Sequence, residues 1–341
     1  MSTAPAAARS DDTPVLSVTD LAIALRDEQG QERTLVDGVQ FHIAAGETLG
    51  LVGESGCGKS LTAMSILGLL PRPQARVCGG DIRYRNQALV DLDPSARRKL
   101  RSREIAVIFQ DPMTALNPVQ PIGRQIIEVL KLHFPQRKRR QHRQRAIDLL
   151  KDVGIPDPAT RLGTYPHQLS GGMRQRVMIA LALACEPALL IADEPTTALD
   201  VTIQSQIIDL LKSLQRNNGM AMLFITHDLG LVSQVSDHVA VMYAGKIVEE
   251  NHAQYLFSAP CHPYTQGLLS ALPGGQHAPK TPLRAMTGQV PSVENMPSGC
   301  RFANRCDRAS AMCREQTPAM ERSQHGGQVA CHHWNELYDG D

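Results

Sequence analysis

Between Gly53 and Ser60 the chain reads Gly-Glu-Ser-Gly-Cys-Gly-Lys-Ser, a spacing that can cradle phosphate groups. Gly53, Gly56 and Gly58 let the backbone wrap an anion with its N–H groups inward, with Ser55 and Cys57 between them. Lys59 can then reach terminal phosphates, and the Ser60 hydroxyl can ligate a divalent cation. A second constellation is Asp193-Glu194, where an apolar run delivers two adjacent carboxylates to a strand end. Asp193 there suits a cation, held through water, and Glu194 suits a general base toward water. Gln110 closes the run IAVIFQ and His227 follows AMLFIT, which puts two more polar groups at strand ends. A third constellation, Leu169-Ser170-Gly171-Gly172-Met173, opens a helical run. Its glycines fall where helix N–H groups are unpaired and the dipole favours an anion.

These groups need rigid supports. TLGLVG (48–53) predicts a strand and SLTAMSILGLL (60–70) a helix ended by Pro71 and Pro73, which is the setting a phosphate loop requires. Short apolar runs at 105–110, 188–193, 221–226 and 238–243, interleaved with helical stretches, predict a mostly parallel sheet buried on both faces. From Val15 to about Gly80 the reading is strand-rich; from Pro121 to about Gly163 it is helical. The basic run RKRRQHRQR (137–145) lacks interleaved aromatics and reads as a solvated helix face. Beyond about Glu250 to Tyr255, prolines, glycines and cysteines become frequent and long periodic segments vanish, which marks a domain boundary.

The 341 residues carry 35 Lys plus Arg against 34 Asp plus Glu, a balance that gives no general attraction to nucleic acid. No apolar run reaches the ~20 residues of a membrane span. Residues 1–14 lack the apolar core of a secretory signal and read as a disordered tail. Eight cysteines without such a signal point to a reducing cytosol.

The order of phosphate loop, Ser-Gly-Gly helix and Asp-Glu strand end resembles an ATP-binding cassette (ABC) ATPase, a resemblance covering nearly the whole chain from about Val15. It implies an α/β fold of the P-loop NTPase (RecA-like) type, with a mostly parallel sheet. An inserted α-helical subdomain would span about 111–169, within a nucleotide-binding domain of 15–255. It implies that Ser170, Gly171, Gly172 and Met173 serve the ATP of a second subunit. By the same resemblance Gln110 contacts Mg²⁺ and water, His227 contacts the γ-phosphate, and Asp200 couples the two sites. Two departures stand out. No aromatic lies between Val15 and Val39 to stack adenine, so Arg33, whose guanidinium can stack on a flat ring, takes that place. Leu61 stands where relatives carry Thr, so its α-phosphate contact would come from backbone.

YPHQLSGGMRQRVMIALAL (165–183) with LLIADEPTTALDVTIQSQI (189–207) is similar to the paired ATPases of dipeptide/oligopeptide importers. Met173 and Thr202 match the first type of the pair. CHPYTQGLLSALP (261–273), GQVPS (288–292) and GCRFANRC (299–306) resemble the loop-rich C-terminal domain of the same ATPases, here 256–341. In it Cys300, Cys306, Cys313 and Cys331 are spaced x5, x6 and x17, which favours a metal centre over disulfides. The tight pairs of zinc ribbons are missing. The resemblance implies a [4Fe–4S] cluster of structural role, with zinc second and no metal third. His332 and His333 are spare ligands, read as surface residues.

The expected protein is thus a peripheral ATPase at the cytoplasmic face of the cell membrane. It would close on ATP against a sister ABC ATPase and drive two transmembrane permease subunits fed by an extracytoplasmic peptide-binding protein. The alternative is a soluble cassette ATPase acting on nucleic acid or ribosomes, against which the uninterrupted cassette and the tail both speak.

Overall fold

The computed structural model describes residues 13–27, 30–111, 115–197, 199–272 and 286–337. The tail expected at 1–14 therefore lies almost wholly outside the described residues.

Two sheets build the nucleotide-binding part. The first is antiparallel, ordered β2-β1-β4-β5, from β1 (Leu16–Arg26), β2 (Glu32–Ile43), β4 (Ala75–Tyr84) and β5 (Gln87–Ala88). Its strand content is legible in the sequence, but nothing there shows that it forms a sheet of its own. The second contains β3 (Thr48–Val52), β6 (Ile105–Ile108), β7 (Leu189–Asp193), β8 (Ala221–Thr226), β9 (His238–Tyr243) and β10 (Lys246–His252). Its order is β11-β12-β10-β9-β3-β8-β7-β6, parallel from β9 to β6. The edge strands β11 (Glu321–Arg322) and β12 (Gln328–Val329) come from the C-terminal region and join antiparallel through β10.

Continuous apolar runs follow from burial on both faces. In β8, Met222 and Phe224 enter one core while Ala221, Leu223 and Ile225 enter the other; β7 divides its residues the same way. That two-sided burial erases the polar alternation of a half-exposed strand.

The strand order brings the chemistry together. At the carboxyl ends, β3, β8, β7 and β6 stand side by side, with Val52 opposite Thr226, Ile225 opposite Asp193, and Ala192 opposite Ile108. Ligands of open α/β sheets bind beyond such ends.

Helix α1 (Lys59–Leu67) follows β3 and ends at Gly68, whose left-handed backbone closes it before either proline is reached. Next come α2 (Pro94–Leu100), α3 (Ile122–His133), α4 (Arg139–Asp152), α5 (Pro158–Arg161), α6 (Gly171–Ala182) and α7 (Val201–Asn218). Helices α3, α4 and α6 pack on one another through Ile126, Leu130, Ala146, Leu150 and Val177. Along 137–145, His142 alone is buried and the arginines and lysine point largely to solvent, as expected of a solvated face. Among the described residues no helix is long and apolar enough to cross a membrane.

Candidate nucleotide site

The phosphate loop is shaped by glycines that could not be anything else. Gly53 has φ +154°, and a Cβ there would lie 2.1 Å from the Met242 carbonyl oxygen. Gly58, at φ +108°, is wedged between the Met242 and Val36 side chains. Lys59 is only 5% exposed and folds back, donating from Nζ to the Gly53 oxygen at 2.8 Å and the Glu54 oxygen at 3.0 Å. Those carbonyls hold the ammonium where an incoming phosphate can claim it. Ser55 and Gly56 are exposed, Cys57 is buried, and Ser60 and Leu61 are half-buried.

Across the sheet, Ser60 Oγ donates to Asp193 Oδ1 at 3.2 Å. These two oxygens, brought together from distant parts of the chain, are hard donors of the kind Mg²⁺ takes. Burial, with repulsion from Glu194, raises the Asp193 pKa; Ser60 and Lys59 oppose this in part. A cation at this point would relieve a carboxylate held above its ordinary value.

Glu194 sits one residue past β7 with φ +47°, a left-handed backbone that is costly for a non-glycine residue. The conformation aims its carboxylate into a set of three partners. Gln110 Nε2 donates to Oε2 at 2.8 Å, Thr197 Oγ1 donates to the same oxygen at 3.0 Å, and His227 Nδ1 meets Oε1 at 3.0 Å. Burial alone would raise the Glu194 pKa. The hydrogen bonds from His227 and Thr197, with the charges of His227 and Lys59, outweigh it and hold the group below the usual carboxylate value. Glu194 is therefore a carboxylate at neutral pH, able to accept a proton.

One expectation needs correction: Gln110 does not end a strand. Pairing with β7 stops at Ile108, and Gln110 lies two residues on, after a partly exposed Phe109, which is what lets it reach across to Glu194. Thr197 went unnoticed in the sequence, although its place three residues after Glu194 was a usable signal.

The Ser-Gly-Gly loop is outside this cluster's hydrogen bonds. Ser170 caps α6, its hydroxyl accepting from Met173 N at 3.4 Å, and Ser170 and Gly171 are exposed. Gly172 packs against Ile203 of α7 so tightly that a Cβ would lie 2.8 Å from that side chain. Asp200 caps α7, accepting from Ile203 N at 3.0 Å. The buried Gln175 side chain of α6 donates to the Pro195 carbonyl, fastening this loop to the Asp193-Glu194 segment. Arg33, in β2, donates to Gln31 Oε1 at 2.8 Å and leaves its Nε without a partner, while Val36 of the same strand lies 3.0 Å from where a Gly58 Cβ would stand.

Cys300, Cys306, Cys313 and Cys331 line one cavity, together with Phe302, His332 and His333. Burial, then the three neighbouring thiols, push the Cys331 thiol up to about 11. Among the described residues no group of three or more His, Cys, Asp or Glu side chains is drawn close enough to hold a single ion. Four thiolates around one zinc, at ~2.3 Å bonds, would need sulfurs under ~4 Å apart. The four thiols share one space, and thiols are donors that either an iron–sulfur cluster or zinc takes.

Comparison with known proteins identifies the relatives of this chain. The family described as ABC transporter matches residues 36–197, and that described as oligopeptide/dipeptide transporter, C-terminal region, matches 248–313. The chain is 49% identical over 319 residues to the dipeptide transport ATP-binding protein DppD of Escherichia coli, covering 94% of this chain and 96% of that one. It is 48% identical over 323 residues to a probable peptide ABC transporter ATP-binding protein, y4tR, of Sinorhizobium fredii, covering 95% and 96%. A solved dimeric structure of the ATP-binding cassette MJ0796 bound to ADP and Pi superposes with a TM-score of 0.62 at 27% identity, over 70% of this chain and 98% of that one.

Proposed function

We infer how this site works from one premise: the chain belongs to the ABC transporter family and is the ATP-binding subunit of a dipeptide/oligopeptide importer. The nucleotide-binding domain is 15–255, with the helical subdomain at about 111–169, and 256–341 is the transporter C-terminal domain. Gly53, Ser55, Gly56, Cys57, Gly58, Lys59, Ser60 and Leu61 receive the phosphates, and Arg33 stacks on adenine. Ser60, Asp193 and Gln110 hold Mg²⁺, which when bound neutralises phosphate charge. Glu194 accepts a proton from the attacking water at its carboxylate, and His227 and Gln110 orient that carboxylate before the γ-phosphate arrives. The observation that carries this reading is Glu194, ionised and held by three donors beside the Ser60–Asp193 pair.

Ser170, Gly171, Gly172 and Met173 complete the ATP site of a sister cassette, and Asp200 couples the two sites. The exposure of Ser170 and Gly171 supports this, as does the dimeric state of the MJ0796 cassette bound to ADP and Pi. Two permease subunits receive the motion. Exposed apolar residues Phe109, beside Gln110, and Val119, 78% exposed, give them a surface. A peptide-binding protein delivers cargo outside, so the ATPase works peripherally at the cytoplasmic face of the membrane. Cys300, Cys306, Cys313 and Cys331 hold a [4Fe–4S] cluster that orders the tail. Its support is their convergence on one cavity.

Affinity purification of the chain from detergent-solubilised membranes tests the assembly. Two integral membrane partners and a second cassette are the expected companions. Ribosomal RNA or DNA in their place would favour the soluble alternative.

A further inference from the structure

The C-terminal region reaches the phosphate loop through two arginines, each next to one of the four cysteines. Arg305, beside Cys306, has a side chain only 6% exposed and grips the Glu54 carboxylate with both arms, at 2.7 Å and 3.0 Å. Glu54 is the second residue of the loop. Its N–H donates to the Tyr264 hydroxyl at 2.9 Å, and its carbonyl accepts from Lys59. Arg301, beside Cys300, donates to the carbonyls of Leu35 and Ala244 and to Asp37 Oδ2 at 3.0 Å. The next residue after Ala244, Gly245, donates its N–H to the Cys57 carbonyl at 2.8 Å, so this second arm also ends on the loop.

Phe302 joins the two arms. It lines the cysteine cavity, and its ring meets those of Tyr243 at 5.1 Å and Tyr264 at 5.4 Å. The wall of the cavity and the outside partners of the phosphate loop are thus a single packed group. A guanidinium–carboxylate fork is strong and exacting in geometry, so a shift of Arg305 must move Glu54 or break the pair. A loop that has lost its anchor must be ordered at the expense of nucleotide affinity.

We propose that Arg305 is a positioning residue for the phosphate loop, through which the metal group filling the four-cysteine cavity sets the affinity for ATP. This rests on the reading above that these cysteines hold such a group. Linkage requires the reverse effect: ATP raises the affinity for that group by the factor by which the group tightens ATP.

The test is the Kd for a fluorescent ATP analogue on the full chain, purified anaerobically. R305A binds about tenfold more weakly, the scale of a lost charge-assisted bond. R305K recovers part of this, because an ammonium cannot make both bonds. E54Q, which keeps the shape and loses the charge, resembles R305A. C306S weakens binding several-fold alone and has no further effect in the R305A background, because both act through one pair. The second readout is the share of iron surrendered to a ferrous chelator at equilibrium, lowered by Mg-ATP in the parent and unaffected by it in R305A. Circular dichroism near that of the parent and a cooperative thermal transition establish that the variants are folded.

Parental affinity in R305A, additive effects of R305A and C306S, or a parent that binds ATP yet contains no metal would each overturn the proposal. A parent that binds no ATP would instead overturn the nucleotide-site reading.

Discussion

Replacing Glu194 by glutamine separates chemistry from structure at this site. The carboxylate receives Gln110 Nε2 and Thr197 Oγ1 on one oxygen and faces His227 Nδ1 with the other. A glutamine can satisfy all three. Its carbonyl oxygen accepts from Gln110 and Thr197, and its amide donates to Nδ1 of a neutral His227 protonated on Nε2. No buried group is orphaned, so stability should change by no more than about 1–2 kcal/mol. Lys59 and the loop glycines are untouched, so ATP binding should persist. What disappears is the proton acceptor, a contribution of roughly 10²–10⁴ in rate, or about 3–5 kcal/mol of barrier. The assay is phosphate release in single turnover by the assembled transporter, with nucleotide binding and ATP-dependent dimerisation measured alongside. The E194Q variant should bind ATP, accumulate as closed dimer and turn over at least about a hundredfold more slowly. Hydrolysis within about fivefold of the parent would refute Glu194 as the base.

Gly53→Ala should cost about 2–4 kcal/mol and abolish ATP binding, since its Cβ would meet the Met242 carbonyl at a φ of +154°; urea unfolding and a binding titration check this. Burial, aided by repulsion from Glu47, raises the Glu250 pKa to about 7. The folded state thus holds a proton that the unfolded state releases near its ordinary value of 4.5, so stability falls as pH rises from about 5 to 7 and then levels. The penalty is at most ~3 kcal/mol, and Glu250→Gln should flatten the pH profile of the thermal midpoint. Asp200→Ala removes the cap of α7 and should cost about 0.5–2 kcal/mol, with Asp200→Asn restoring most of the loss in the same melting experiment. Arg33→Ala should weaken ATP binding by about fivefold while leaving tripolyphosphate binding unchanged; equal ATP affinity would remove Arg33 from the adenine site.

The sequence alone determined what depends on contiguous residues. The phosphate loop, the Ser-Gly-Gly helix cap and the Asp193-Glu194 strand end are each local devices, in which backbone geometry and neighbouring side chains do the work. Apolar runs bounded by glycine and proline likewise located β3, β7, β8 and β9 to within a residue. Tertiary structure alone decided what depends on strand order. β8 is inserted between β3 and β7, which carries His227 between the phosphate loop and the acidic pair, and β6 on the far side brings in Gln110. No local periodicity encodes that order, because strands buried on both faces look alike wherever they stand in the sheet. The same holds for Arg305 and Glu54, 251 residues apart. An arginine beside a cysteine and a glutamate inside a glycine-rich loop each read as ordinary surface charges until β10 and the tail strands fold the C-terminal region back against the loop, where burial makes the pair specific.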